Sequence, residues 1–184
     1  MAKRDPENIT LGSGKAYIAQ YTDGTMPEHT AICTESNLLG YIQGGAELSY
    51  TEETHEETDD LGYVSKVVTT SEEALLKLGL LTWNGNTLAK LADRCKVTED
   101  KSKGTRTIHI GGAGNAQGKE WVVCFFHEDK VDGNLWVLIR GRNTAGFTLT
   151  FAMDAGTKIE PEFKALPQDD NGTLITIVEE IPTT

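Results

Sequence analysis

Between Ala46 and Glu73 the chain reads as two long strands folded back on each other, and this stretch constrains the fold more than any other. In its first arm the even positions Ala46, Leu48 and Tyr50 are the more apolar, while Glu47, Ser49, Thr51, Glu53, His55 and Glu57 at odd positions are all polar. Alternation of this kind has the two-residue period of a strand and predicts one packed face and one wet face. Asp59-Asp60-Leu61-Gly62 supplies the reversal, with Gly62 free to take the positive φ that such a turn often needs. In the second arm Ala74, Leu76, Leu78 and Leu80 share a face, but Val67 and Val68 fall on opposite ones. A bulge or break near Ser71 is therefore expected. An isolated two-stranded ribbon is marginal in water, and its open edges are templates for further pairing. The hairpin is thus expected to be completed by other copies of itself, through Leu48, Tyr50, Thr51, Asp59, Asp60, Val64, Lys66 and Val68.

The same stretch holds most of the molecule's charge. Nine carboxylates (Glu47, Glu52, Glu53, Glu56, Glu57, Asp59, Asp60, Glu72, Glu73) stand against Lys66, giving −8 of the whole-chain −11. Such a balance disfavours a tight grip on phosphate backbones, because that grip depends on Lys and Arg releasing counterions. Nucleic acid is expected to pass near this protein without being held.

The remainder is mostly strand-like. Strands are predicted at Lys15–Tyr21, Leu39–Ile42, Thr105–Ile110, Glu120–His127, Leu135–Gly141, Phe147–Ala152, Lys158–Leu166 and Thr173–Glu179, with the hairpin's second arm running over Val64–Trp83. Turn signals at Gly111-Gly112, Asp132-Gly133-Asn134, Ala145-Gly146 and Asp169 to Gly172 separate them. One helix is expected over 84–96, capped by Asn84 or Asn86, with Leu88, Leu91, Ala92 and Cys95 at helical spacing. The fold class is mainly β, a sandwich or barrel with one short flanking helix. No internal repeat, low-complexity run or linker divides residues 1–184, so a single domain is expected, with 1–8 and 181–184 as flexible arms. Three widely spaced cysteines without a CxxC, Cys33, Cys95 and Cys124, argue against a disulfide framework, and folding in a reducing cytoplasm is expected. The opening residues contain no apolar signal segment, and no apolar run approaches the ~20 residues of a membrane span, so a soluble protein is expected.

The constellations that could carry chemistry are weak. Gly111-Gly112-Ala113-Gly114-Asn115-Ala116-Gln117-Gly118 looks like a phosphate loop, but a strand follows it, not the helix N-terminus such loops rely on. Gly12-Ser13-Gly14-Lys15 lacks the upstream glycine of a nucleotide loop and reads as a turn. His29, His55, His109, His127 and the cysteines show no zinc-ligand spacing. Cys124, inside Trp-Val-Val-Cys-Phe-Phe, is expected to be a buried, inert thiol. His127-Glu128-Asp129-Lys130 reads as a solvated charge run at a strand end, not a general-base cluster. Adjacent carboxylates such as Glu52-Glu53 point to opposite faces of a strand and cannot flank one glycosidic bond. No catalytic residue, metal or cofactor is assigned.

Taken in order, several segments carry a resemblance. Leu11-Gly12-Ser13-Gly14-Lys15-Ala16-Tyr17-Ile18 is followed by Asn37-Leu38-Leu39-Gly40-Tyr41-Ile42-Gln43-Gly44-Gly45-Ala46 and by Asp60-Leu61-Gly62-Tyr63-Val64. Then come Leu81-Thr82-Trp83-Asn84-Gly85-Asn86-Thr87-Leu88 and Phe163-Lys164-Ala165-Leu166-Pro167 before Gly172-Thr173-Leu174. Across nearly its whole length the chain resembles the major tail, or tail tube, proteins of long-tailed bacteriophages and their prophage and tailocin relatives.

That resemblance implies a β-sandwich subunit with a flanking helix, assembled in the host cytoplasm into stacked six-fold rings that form the hollow tube of a virion. It implies that the hairpin joins its neighbours into an inner barrel through which double-stranded DNA passes unbound. Tape-measure, terminator and baseplate or tip proteins would be its other partners. Glu47, Glu53 and Glu57, with Glu73 on the second arm, are the residues expected to line that lumen. Two alternatives stay open: the tube of a tailocin or other contractile system, and a carbohydrate-binding or adhesion module. The latter would use Trp83, Trp121 and Trp136 as a platform, although Trp121 and Trp136 lie in apolar strands that suit a core.

Overall fold

The structure, a computed structural model, describes residues 12–22, 24–154 and 156–181. It is mainly β. Among the described residues nine strands are formed: β1 (Lys15–Gln20), β2 (Leu38–Thr58), β3 (Ser65–Leu80), β4 (Cys95–Asp100), β5 (Thr105–Ile110), β6 (Trp121–His127), β7 (Leu135–Asn143), β8 (Glu162–Leu166) and β9 (Thr176–Glu179). Short α-helices accompany them at α1 (His29–Ile32) and α2 (Gly85–Leu91).

Six strands close on themselves in the order β1-β2-β3-β8-β7-β6, because β6 pairs with both β1 and β7, and every pairing is antiparallel. β9 lies on the other edge of β7 over Leu135–Leu138, ahead of the segment that pairs with β8. Closure removes the unpaired edges that an open sheet would expose at these strands. The two-residue period then sorts the side chains. Ala16, Ile18, Leu39, Ala74, Leu76, Leu78, Leu80, Val123, Ile139 and Phe163 fill the interior, and Leu88 and Leu91 of α2 join the same cluster. Burial of each leucine-sized side chain contributes about 2 kcal/mol through removal from water. The intervening residues Tyr17, Val122, Cys124, Trp136 and Leu138 form a second cluster with Ile32 of α1.

The helix at Gly85 starts as its sequence suggests. Asn84 Oδ1 accepts from the backbone N–H groups of Asn86 and Thr87, and the Thr87 hydroxyl accepts from the Asn84 N–H, a reciprocal capping box. It ends earlier than the expected residue 96, because Cys95 opens β4, a strand absent from the sequence reading that pairs with β5 from Cys95↔Ile110 to Asp100↔Thr105. The expected short strand at Leu39–Ile42 is continuous with the first hairpin arm. Gly44 and Gly45, at φ 88° and 82°, absorb an irregularity there without ending the strand. Phe147–Ala152 is not a strand: the Asn143 side chain donates to the Gly146 carbonyl at 2.6 Å, and the following segment finds no ladder among the described residues. Pro161 interrupts the run expected from Lys158, leaving a lone bridge at Ile159 to Leu80 and a strand only from Glu162. The final strand begins at Thr176, since Thr173 is held in the preceding turn by Asp169. Of the expected arms, 1–8 and 182–184 lie outside the described residues, and Ile181 is exposed.

Candidate functional site

The hairpin β2–β3 leaves the barrel and continues into solvent. Its base belongs to the core: Leu48 is half-buried, and Ala74, Leu76 and Leu78 are buried in the barrel cluster. From Tyr50 to Glu72 every residue of both arms is exposed on both faces. The expectation of one packed face therefore holds only at the base. Beyond it no layer covers the ribbon among the described residues. Its edges are equally open, because β1 reaches β2 only at Leu38–Tyr41 and β8 reaches β3 only at Leu75–Lys77. At a strand rise of ~3.3 Å per residue, the run from Tyr50 to Thr58 extends about 30 Å.

The register is set by turn and bulge. Asp59 Oδ1 accepts from the Val64 N–H at 2.6 Å and Oδ2 from the Leu61 N–H at 3.3 Å, while the Gly62 N–H donates to the Asp59 carbonyl at 2.9 Å. The Val64 donor above all, with Leu61, holds the Asp59 carboxyl below the usual aspartate range. Gly62 takes φ 71°, as a reversal of this kind requires. One extra residue, Thr70, is inserted where Glu53↔Ser71 gives way to Thr54↔Thr69, and its hydroxyl donates to the Glu53 carbonyl at 3.1 Å. The bulge falls where the mismatched valines place it. It keeps Val68 on one face with His55 and Val67 on the other with Glu56.

Directly paired residues share a face, so the register sorts the charges. Glu47, Glu53, Glu57 and Glu73, singled out from the sequence, all lie on one face, with Thr51, Lys66 and Val68. Two of them are neutralised locally: Glu47 reaches Lys77 at 3.9 Å, and Glu73 is ion-paired with Lys164 of β8. Glu53 Oε2 accepts from the Ser71 hydroxyl at 2.9 Å, Glu57 contacts the His55 ring at 2.9 Å, and Lys66 stands opposite Glu57. Lys77 also reaches Glu162 at 3.4 Å.

The opposite face carries Glu52, Glu56 and Glu72 and no ribbon lysine, a feature the sequence reading overlooked. Counting residues of β2 and β3 alone, four carboxylates against Lys66 and Lys77 leave −2 on the first face, and three against none leave −3 on the second. Alternation along β2 places Glu52 and Glu56 together, but the bulge decides which face Lys66 joins. Glu52 accepts from the Tyr50 hydroxyl at 2.7 Å, and this bond to a carboxylate pushes the Tyr50 phenol up to about 12. Exposed Val64, Val67, Leu61 and Tyr63 make the distal ribbon apolar as well as acidic, and Asp60 sits exposed in the turn.

Other constellations weighed from the sequence are placed in structural roles. His127 is buried, with Nδ1 2.9 Å from the Ser13 carbonyl oxygen, and Asp129 accepts from the Val131 and Asp132 N–H groups. Trp136 is buried in the outer cluster, and Trp83 and Trp121 pack against the barrel core, so the three do not form an exposed platform. Among the described residues no group of three or more His, Cys, Asp and Glu side chains could hold a metal ion, and no helix is long and apolar enough to cross a membrane. No protein-family model matches the chain, and no curated protein matches it.

Proposed function

We propose that this chain is a structural subunit that assembles with copies of itself into stacked rings and a hollow tube, through which double-stranded DNA passes without specific binding. Six-fold symmetry, a virion location and tape-measure, terminator and baseplate partners follow from the resemblance to phage tail tube proteins. The tube of a tailocin or other contractile system is the nearest variant. The carrying observation is the distal β2–β3 ribbon, whose edges and faces are open from Tyr50 to Glu72. Ring closure pairs those edges between copies. At about 1 kcal/mol net per hydrogen bond, five bonds per seam contribute on the order of 5 kcal/mol before ordering costs.

Acidic residues suit a conduit. DNA carries about one negative charge per 1.7 Å of axis, and a basic lining would bind it through counterion release. Carboxylates repel it over about 8 Å at physiological salt, a short-range non-stick lining and not a motor. Glu47, Glu53, Glu57 and Glu73 are the proposed lining.

Negative-stain microscopy of the purified protein over a concentration series tests this reading, with rings or hollow filaments expected. A second preparation, with residues 52–72 replaced by a tight turn, retains Leu48 and Leu76 in the barrel and should stay monomeric. Tubes formed by that shortened chain would overturn the role given to the ribbon.

A further inference from the structure

Cys33 and Cys124 are 91 positions apart, yet the fold places their Sγ atoms 4.0 Å from each other. Cys124 projects from the outer face of β6 into the cluster of Tyr17, Ile32, Val122, Trp136 and Leu138, and it is fully buried. Cys33 lies in front of it as the C-cap residue of α1, half-buried and open to solvent on one side, with its thiol donating to the His29 carbonyl at 3.2 Å. An outer thiol reachable by a small reagent thus sits in contact with an inner thiol that no reagent reaches directly.

We propose that Cys33 and Cys124 form an oxidation-dependent intrachain disulfide that ties the α1 segment to the barrel. The oxidising substrate is a low-molecular-weight disulfide of the glutathione class. In the first step Cys33, having given its proton to solvent, attacks one sulfur of that disulfide; a bond forms to Cys33 Sγ and one small thiolate leaves. In the second step Cys124 gives its proton to the leaving thiolate and attacks Cys33 Sγ, releasing the second small thiol. Two protein thiols are oxidised and one small disulfide is reduced to two thiols. The sulfurs close from contact to about 2.05 Å. Cys33 supplies that movement, since it ends a four-residue helix and Cys124 is fixed within a ladder paired on both sides. Burial raises both thiols above their ordinary range, which makes the exchange slow at neutral pH and faster as the medium becomes alkaline.

The chain would therefore fold with free thiols in a reducing compartment and be locked after passing into an oxidising one. This inference does not depend on the tube reading. It concerns the monomer alone, so failure of assembly leaves it standing.

The experiment treats the native chain with oxidised glutathione at mildly alkaline pH and follows intact mass and peptide maps. Two of the three thiols should be lost with a mass decrease of two hydrogens, no glutathione should remain attached, and the joined peptides should contain Cys33 and Cys124. Cys124→Ala should instead retain one glutathione on Cys33, Cys33→Ala should react at neither position of the pair, and Cys95→Ala should close like the parent. Closure should raise the melting temperature by roughly 10 °C, reversibly with dithiothreitol. Three free thiols after a control dithiol has been oxidised, or glutathione stably held on Cys33 of the parent chain, would overturn the proposal. An unchanged melting temperature in the cross-linked form would overturn the tethering role. Should Cys124→Ala fail to fold, the Cys33→Ala and parent reactions decide the matter.

Discussion

Glu52 and Glu72 stand directly opposite each other across the β2–β3 ribbon, two like charges in a paired position with no ribbon lysine on their face. Cross-strand pairs of like charge destabilise a sheet, and here the Tyr50 hydroxyl gives Glu52 a hydrogen bond without removing its charge. Glu72→Lys should convert the opposition into an attraction. Amide exchange in peptides covering 51–58 and 65–72 should slow by about threefold, the size that cross-strand pair energies allow. Added salt should produce part of the same slowing in the parent chain. Faster exchange in the variant would mean that the opposition is relieved in some other way.

The barrel was legible wherever period-two alternation met a partner strand. Trp121–His127 was legible differently, as an unbroken apolar run, and the structure accounts for it by placing Trp121, Val123 and Phe125 on the core cluster and Val122 and Cys124 in the outer one. Local rules also located the Asn84 cap, the Gly62 reversal and the bulge beside Ser71. What could not be read depended on distant neighbours. Phe147–Ala152 alternates like a strand, yet Phe147 and Leu149 pack on the core while Phe151 stays exposed, and a strand exists only where another backbone offers a ladder. Cys95 fitted a helical spacing, but its pairing with Ile110 draws it into β4. The shared face of Glu52, Glu56 and Glu72 follows from alternation in each arm, but the absence of Lys66 from it does not, since the offset beyond the bulge is a property of the pair and not of either arm.

Asp59 makes the hairpin reversal sensitive to acid. Its folded-state carboxyl lies below the ordinary value of 3.8 because the Val64 and Leu61 N–H groups donate to the ionised form. The turn's contribution is therefore complete above the unfolded value and is lost as pH falls through the depressed one. Amide exchange at Leu61 and Val64 should rise, relative to barrel amides, below about pH 3.8. In Asp59→Asn the same amides should exchange faster already at neutral pH and respond less to acid. Equal protection in parent and variant across that range would remove Asp59 from its turn-holding role.

Stability and assembly should separate along the hairpin. Leu76 is buried in the barrel cluster and Leu76→Ala should cost about 3 kcal/mol in urea unfolding, through lost transfer energy plus a cavity. Val67 is 57% exposed on the ribbon, so Val67→Thr should change monomer stability by no more than about 0.5 kcal/mol. If copies pair along the ribbon, this second change should nonetheless raise the concentration at which rings appear. Loss of monomer stability from Val67→Thr would place the ribbon within the folded subunit and not at its seam.

The two faces of the ribbon make distinguishable predictions for a tube. On the proposed lining face, Glu53 and Glu57 are the carboxylates not ion-paired with Lys77 or Lys164, and Lys66 stands opposite Glu57. Glu53→Lys with Glu57→Lys should turn a repelling lining into a binding one. Tubes carrying both changes should retain double-stranded DNA, with a retention that falls linearly in log–log form as salt rises, because each phosphate contact releases counterions. The matched pair Glu52→Lys with Glu56→Lys, on the opposite face, should leave retention near that of the parent. Comparing DNA retention by the two sets of tubes over a salt series separates the faces. The reverse ranking would assign the lumen to Glu52, Glu56 and Glu72, the face with no lysine, and would make the Lys77 and Lys164 ion pairs features of the tube's outer layer.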